Sequence, residues 1–487
     1  MTLSDILRGA GAREIRADAG IGIKDVVNDS ELVTPGALFA ACSGEHGDGA
    51  DHIGRAVSLG CAAVICRKKP DVAVPYVISD DPRRTYAFAC ANFYGNPQEK
   101  LIMTAVTGTN GKSTVTSMLW HILRHIHGAD AVCLIGGVSN IVRGIPKRAD
   151  QTTPDPGKLY RILSEAAGGG ASYAVTEASS HALDYEKLSP CRIRLGVMTN
   201  LTEDHLDHHK TIENYFESKK KLIPLCRDFI SNGDDPFTKT LRCPHFSLYS
   251  GEYTAKISEL TDRSVSFSYR GRGSAECTVP VLGKFNVYNA LAALACAEIL
   301  GEDARTAADG LSDFHGVPGR FRPYPLKNGA VAVIDYAHTP DALENALHEA
   351  RRICKNRLIC VFGCGGDRET GKRRLMGGIA SRMADLCVIT SDNSRSEDPG
   401  DIIAQILKGV DKSRPYTVIE NRTEALKAAL GCCKEDDVVL LAGKGHEDYE
   451  EDKNGKRPFS EESLIKEFND GGNDDGDNDS GGGGGSL

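Results

Sequence analysis

The stretch LIMTAVTGTNGKSTVTSMLWHILRHIH, residues 101–127, decides the fold. It opens as an apolar strand, LIMTAV, breaks at a glycine-rich turn, and resumes as a helix, STVTSMLWHILRHIH. Strand, turn and helix in that order set backbone N–H groups and a helix N-terminus against an anion. Within VTGTNGKST, residues 106–114, Gly108 and Gly111 permit the tight turn, Lys112 supplies a point charge, and Ser113 carries a hydroxyl suited to magnesium. Val106 stands where the common G-x-x-x-x-G-K-[ST] pattern has its first glycine, so this is a shorter and more specific form. A glycine turn without ligand is the plain alternative, and the flanking strand and helix argue against it.

Working outward, the pattern restarts three times. In the first hundred residues GALFAAC, DHIGRAVSLG and CAAVICRK read as strand, helix, strand. After the loop come YAVTEASS and RLGVMTNLT, then the helical NVYNALAALACAEIL and a turn-rich segment, FHGVPGRFRPYP. In a third run AVAVIDYAH, RLICVFGCGG, LCVITSDN and DVVLLAGKG are strands ending in Gly or polar residues. The expected fold is α/β with three domains: a smaller N-terminal α/β domain (1–100), a central P-loop-type domain with a mostly parallel sheet (101–320), and a C-terminal Rossmann-like α/β domain (321–468). The Gly/Asp-rich tail, 469–487, has almost nothing to bury and reads as disordered.

A chain of 487 residues is long enough for about three domains. Its net charge of −9 argues against a surface given over to nucleic acid or anionic membrane. No apolar run is long enough to span a bilayer. The opening MTLSDILRGAGA reads as a short helix without a secretory pattern, so a cytoplasmic protein is expected. Sixteen cysteines lie in apolar runs and none forms a C-x-x-C pair, which points to buried free thiols rather than zinc or redox sites.

Three clusters lie beyond the loop. TEASSH sets Glu177 just past a strand, where a second magnesium carboxylate would sit, although a lone Glu in a loop is more often solvated. TNLTEDHLDHHKT gathers Asp204, His205, Asp207, His208 and His209, and could bind zinc, cap the fold or help hold magnesium. YFESKKKLI carries three consecutive lysines on a helix, by composition a solvated face.

Together TGTNGKST, TTPDP, EASSHAL, TNLTEDHLDHH, FNVYNALAA, DYAHTPDAL, GCGGDRETGKR, SDNSR and AGKGHE resemble the Mur ligase family, ATP-dependent amide-forming enzymes of peptidoglycan precursor synthesis. The resemblance covers residues 20–465. It implies ATP and Mg2+ as cofactors, with UDP-MurNAc-L-Ala-D-Glu and meso-diaminopimelate as small-molecule substrates. It also implies a monomer, with neither nucleic acid nor membrane as partner.

Carried onto this sequence, the family assigns ATP to Gly108, Thr109, Asn110, Gly111, Lys112, Ser113, Thr114, Asn289, Arg320, Asp335 and His338. Catalysis falls to Lys112, Glu177, His205 and Lys219, with Ser113, Glu177, His205 and Lys219 as metal ligands. Lys219 matches the family's carbamylated lysine, which makes an anion of a residue in SKKK. Ser30, Thr152, Thr153, Ser179 and Lys187 would grip the UDP-sugar substrate. Glu31 comes after Ser30 where the family has Arg, and Lys187 stands where Arg is usual, keeping charge but losing a bidentate fork.

Arg368, Asp392, Asn393, Ser394, Arg395, Gly443 and Glu447 would read the incoming amino acid. The family motif there is D-N-P-R, and this chain has Ser394 for Pro. Arg395 suits the distal carboxylate of meso-diaminopimelate, and L-lysine would leave that guanidinium unpaired. For Arg395 the ordinary alternative is a surface pair with Glu397 or Asp398. Three other functions stand against the main reading: a lysine-adding ligase of the same family, a folylpolyglutamate-type ligase, and a non-catalytic paralogue that binds nucleotide or precursor.

Overall fold

The computed structural model describes residues 1–44 and 47–471. The expected disordered tail lies outside these residues from 472 onward, whereas positions 469 and 470 belong to the last helix, Glu461–Asp470. Three large sheets organise the α/β architecture, and a two-stranded sheet, Tyr449–Asp452 with Gly455–Pro458, adds to the last part of the chain. The chain divides into two compact units, residues 1–315, which hold the first two sheets, and the residues from Gly316 on, which hold the third.

The first sheet runs in the order Glu14–Arg16, Tyr76–Ile78, Ala63–Cys66, Ala37–Ala40, Asp25–Val27, parallel except at its first strand. Its strands AVIC and ALFA are buried throughout, as strands covered on both faces must be.

The second sheet has eleven strands. Ile102–Thr107 lies at its heart between Tyr173–Glu177 and Ile193–Met198, all parallel. Val132–Ile135 adds beyond the one, and Cys226–Asn232, His245–Ser247 and Tyr253–Leu260 beyond the other. The sheet is mostly parallel, as expected, with antiparallel extensions at both margins: Ser139–Val142 with Ile145–Arg148, and Val265–Arg270 with Ser274–Val279. These margins need burial on one face only, and Ser274–Val279 accordingly alternates exposed and buried residues.

The helix Lys284–Leu300 is apolar nearly all round, so it is a core helix, and it packs on the loop helix Lys112–His127. The third sheet, Arg322–Pro325, Val331–Asp335, Val438–Ala442, Leu358–Phe362, Leu386–Ile389, Tyr416–Val418, is parallel apart from its first strand. All sixteen cysteines are free and only Cys432 is exposed. Among the described residues no helix is long and apolar enough to cross a membrane.

Candidate active site

Register builds the site. In the central sheet Val106 pairs with Glu177 and Thr107 with Met198, so three parallel strands end side by side. The segments leaving those strands are all delivered to one edge. After Thr107 the chain turns at Gly108, whose φ of +140° few L-residues adopt. A Cβ there would stand 1.9 Å from Thr199 Oγ1.

Thr199 begins the TNLT segment that shapes the loop. Its hydroxyl donates to the Asn110 carbonyl at 2.6 Å, Asn200 Oδ1 accepts the Asn110 N–H at 2.8 Å, and the Thr109 N–H donates to the Asn200 carbonyl at 3.0 Å. The helix Lys112–His127 starts at Gly111 with no side-chain cap, so the end of a helix that attracts anions borders the loop. Gly108→Ala should destabilise the unit by about 2–4 kcal/mol, from backbone strain plus the displaced Thr199. A lowered urea midpoint checks this, and an unchanged one removes the tight-turn argument.

Two amines converge on the loop. Lys112 Nζ donates to the carbonyls of Gly108 (2.9 Å) and Thr109 (2.7 Å), and Lys219 Nζ donates to the same Gly108 oxygen at 2.9 Å. Lys219 is 1% exposed, with its Nζ 4.1 Å from the centre of the Tyr215 ring. Burial first, then the charge of Lys112, hold its pKa well below that of an ordinary lysine, while Asp204 works the other way. The lysine run is therefore a solvated face only in part: Lys220 pairs with Glu217 and Lys221 with Asp184, but Lys219 points inward.

Glu177 ends its strand almost fully buried and accepts the Gly137 N–H at 2.7 Å. Room for it comes from Gly136, where a Cβ would lie 2.7 Å from Glu177 Oε1. Sequence reasoning misses the pair Gly136–Gly137, although IGG straight after an apolar strand is the signal that marks it. His205 takes a left-handed backbone (φ +55°), with Nε2 3.4 Å from Asp204 Oδ2 and its ring 6.2 Å from that of Tyr215. Tyr215 is thus a neighbour common to His205 and Lys219. Ser113 and Thr114 are buried at the first turn of the loop helix, and Asn289 lies against Gly111 with its amide donating to Asn286.

Beside Glu177 the TTPDP segment is pinned from two sides. Thr153 Oγ1 donates to the Glu177 carbonyl at 2.8 Å and accepts the Ser179 N–H at 3.1 Å. Lys187 Nζ donates to the Thr153 carbonyl and to Gln151 Oε1, and burial pulls its pKa down against the opposing charge of Asp155. Asp155 accepts bonds from Tyr86 OH (2.6 Å) and Asn28 Nδ2 (3.0 Å), tying the segment to the N-terminal sheet. Thr152 lies over Gly137. Ser30 is buried in a single turn, and Glu31 behind it is paired with Arg55 at 2.6 Å.

In the C-terminal unit a second constellation forms. Phe321 N–H donates to Asp335 Oδ2 at 2.7 Å, and burial pushes the Asp335 carboxyl up to about 6 against the opposing charge of Arg320. The Arg320 guanidinium lies 4.5 Å over the Tyr336 ring, and His338 Nδ1 is 2.8 Å from the Tyr336 carbonyl. Asn393 Nδ2 donates to Glu447 Oε2 at 2.8 Å, and Gly443 leaves the space that Asp392 fills.

At the centre is Lys444, fully buried, donating to Asn393 Oδ1 (2.7 Å) and Glu447 Oε2 (3.0 Å). Sequence reasoning misses it too, though it sits inside AGKGHE. Arg395 donates to the Gly366 carbonyl at 2.6 Å and faces Glu451 at 3.7 Å. It pairs with neither Glu397, which holds the buried Arg373, nor Asp398, which caps the helix Pro399–Leu407. Ser394 is buried against Gly366, while Arg368 is exposed on the same loop.

Known proteins match this arrangement along its length. Family profiles described as the Mur ligase family catalytic domain, the Mur ligase middle domain and the Mur ligase glutamate ligase domain match residues 22–90, 106–297 and 319–445. A UDP-N-acetylmuramoyl-L-alanyl-D-glutamate–2,6-diaminopimelate ligase of Parabacteroides distasonis is 35% identical over 484 residues, covering 96% of this chain and 99% of its own. One from Clostridium acetobutylicum is 37% identical over 482 residues, with the same coverage. A solved structure of an enzyme with that name superimposes with a TM-score of 0.67 at 30% identity, covering 97% of this chain and 99% of its own. Identity at this level over the whole length is not shared by fold alone: the chain belongs to the Mur ligase family.

Proposed function

We propose that this ligase uses ATP to join the D-glutamyl γ-carboxylate of UDP-MurNAc-L-Ala-D-Glu to an amine of meso-diaminopimelate, a step of peptidoglycan precursor synthesis in the cytoplasm. The observation that carries the reading is the meeting of Lys112 and Lys219 on the Gly108 carbonyl, at the sheet edge where Glu177 also ends. The names and full-length identity of the relatives support the choice of substrates. Residues 1–100 are assigned to the UDP end of the substrate, 101–320 to ATP and 321–468 to the amino acid.

The donor set suits magnesium if one residue is modified. Glu177 and Ser113 offer oxygen, the element Mg2+ prefers, but Lys219 as an amine would repel it. A neutral buried amine can add to carbon dioxide: an N–C bond forms, one C=O π bond opens to carboxylate, and a proton leaves. The carbamate of Lys219, with Ser113, Glu177 and His205, would then hold Mg2+, which when bound neutralises phosphate charge.

This chain's own residues do the remaining work. The loop N–H groups and Lys112 hold the phosphates and spread the charge that develops on transfer. An oxygen of the substrate carboxylate attacks the γ-phosphorus, the bond to the β,γ-bridging oxygen breaks, and ADP and an acylphosphate result. Ser179, Thr152, Thr153 and Lys187 orient that carboxylate; Ser30 and Asn289 are assigned to uridine and adenine, and Arg320, Asp335 and His338 also to ATP. Glu447 and Asn393 take the ammonium end of the incoming amino acid, and Arg395, with Arg368, takes its distal carboxylate. The amine attacks the acyl carbon, the C–O bond to phosphate breaks, and the amide remains.

The test is phosphate release by the purified protein with each substrate omitted in turn. Release that needs both UDP-MurNAc-L-Ala-D-Glu and meso-diaminopimelate is expected; release without either, or none at all, defeats the proposal. Lys444→Met should raise KM for the amino acid and lower stability by about 3–5 kcal/mol, because Glu447 loses its buried cation. Nucleotide affinity should not change, and steady-state kinetics beside nucleotide titration separate the two effects.

A further inference from the structure

One cluster remains outside this chemistry. Asp184 ends the short helix Ser180–Asp184, and His208 and His209 end another, Leu206–His209. The sequence sets Asp184 more than twenty residues before the two histidines, yet the fold brings all three together. His208 Nε2 is 3.3 Å from Asp184 Oδ2, His209 Nδ1 is 3.5 Å from the same oxygen, and the three donor atoms lie within 4.8 Å of one another. Ligand atoms bound tetrahedrally to zinc at about 2.0–2.2 Å stand about 3.3–3.6 Å apart.

The atoms turned away from this point are engaged as orienting partners of a metal site would be. His209 Nε2 is 2.9 Å from Ser180 Oγ, and Lys221 Nζ donates to Asp184 Oδ1 at 2.7 Å. Ser180 is itself fixed, its carbonyl accepting the Ser218 hydroxyl at 3.1 Å. His209 is 5% exposed, and the ring of His181 lies 4.4 Å from that of His208. Two imidazoles and a carboxylate favour zinc-class metals, whereas a magnesium set is made mainly of oxygen donors.

We infer that Asp184, His208 and His209 form a binding site for a divalent transition metal of the zinc class, with a further position for water or His181. The site shares no residue with the set proposed for magnesium, Ser113, Glu177, His205 and the carbamate of Lys219, although the His205 ring lies 4.9 Å from that of His181. A metal there would cross-link the helix that Ser179 caps to the helix that His205 opens. Occupancy would therefore stiffen the wall between the two.

The test uses the full chain, stripped with a chelator and titrated with Co2+, then Zn2+. One equivalent of Co2+ should bind with the intense visible bands of a tetrahedral centre and without thiolate charge transfer, and Zn2+ should displace it. His208→Ala and Asp184→Asn should each weaken binding about tenfold or more, and Cys432→Ser should not. Zn2+ should also raise the unfolding midpoint of the parent and leave that of His208→Ala unmoved. Absence of binding, an octahedral or thiolate spectrum, or affinity unchanged in His208→Ala would overturn the site. Should Asp184→Asn fail to fold, His208→Ala, verified by circular dichroism, decides alone.

Discussion

Replacing Lys219 with Ala is expected to lower kcat by roughly a thousandfold or more, the scale on which preorganised charge at a transition state is lost. The side chain is buried, its Nζ donates to the Gly108 carbonyl, and Lys112 lies beside it on the same oxygen. An ammonium in that place would add to the positive charge of Lys112 and oppose a metal. A carbamate reverses the sign and supplies two oxygen donors. Low affinity for a proton is therefore what the site requires of this amine, and burial together with Lys112 provides it.

Loss of activity alone would not separate this account from a packing defect, since deleting three methylenes and an amine from a buried position destabilises any fold. Size makes the separation. Lys219→Ala leaves a cavity that acetate or formate can enter, so part of the activity should return when either is added. Lys219→Met fills the same cavity with an uncharged chain, so it should be equally inactive and should not be rescued. The Gly108 carbonyl keeps Lys112 as donor in both variants, so the loop should hold and nucleotide should still bind. Parent enzyme freed of carbon dioxide should lose activity and regain it with bicarbonate. Full activity of Lys219→Met would falsify the carbamate.

Residues 102–127 were legible because one signal repeats at every level there: apolar strand, glycine turn, amphipathic helix, and a sheet edge that gathers the segments leaving its strands. Glu177 was legible only as a residue at the end of a strand: taken alone it read as a solvated loop Glu, yet it is buried where its strand pairs with the loop strand. Lys219 shows where composition misleads. SKKK is a charge run, yet helical spacing sets Tyr215, Ser218 and Lys219 on the buried face and turns Lys220 toward its pair with Glu217. The antiparallel margin was readable in VSFSYR, whose residues Val265, Phe267 and Tyr269 alternate with polar ones, but helices and parallel strands dominated the pattern around it.

The features that could not be read depend on distant partners. IGG after an apolar strand marks a turn, but nothing local names Glu177 as the partner of Gly136, Asn393 and Glu447 as those of Lys444, or Asp184 as that of His208 and His209. Each arises from strand order and crossovers, which periodicity does not encode.

Arg395→Ala is expected to raise KM for meso-diaminopimelate by roughly tenfold to a hundredfold, the worth of a charge-assisted bond to a carboxylate in a partly buried site. Its backbone is left-handed (φ +51°), a strain that Arg and Ala share, so the substitution tests the side chain and not the turn. The guanidinium is held in place from behind, by the Gly366 carbonyl at 2.6 Å and by Glu451, and the backbone N–H of Arg395 donates to the Glu451 carbonyl in the strand Tyr449–Asp452. Glu397 and Asp398, the obvious surface partners, are committed to Arg373 and to a helix cap. A guanidinium fixed this way discriminates chiefly through the penalty incurred when its ligand is missing. L-lysine lacks the distal carboxylate and so leaves the guanidinium with Glu451 and the Gly366 carbonyl alone, without the second carboxylate that the pocket is set to receive. The parent should therefore prefer meso-diaminopimelate strongly, and in Arg395→Ala that preference should collapse, through loss of the favoured substrate and little change for lysine. Competition between the two amino acids, read as the ratio of kcat/KM, measures this directly. A ratio that survives the substitution would move the choice of amine away from Arg395, leaving the buried group of Asn393, Lys444 and Glu447 as the reader of both.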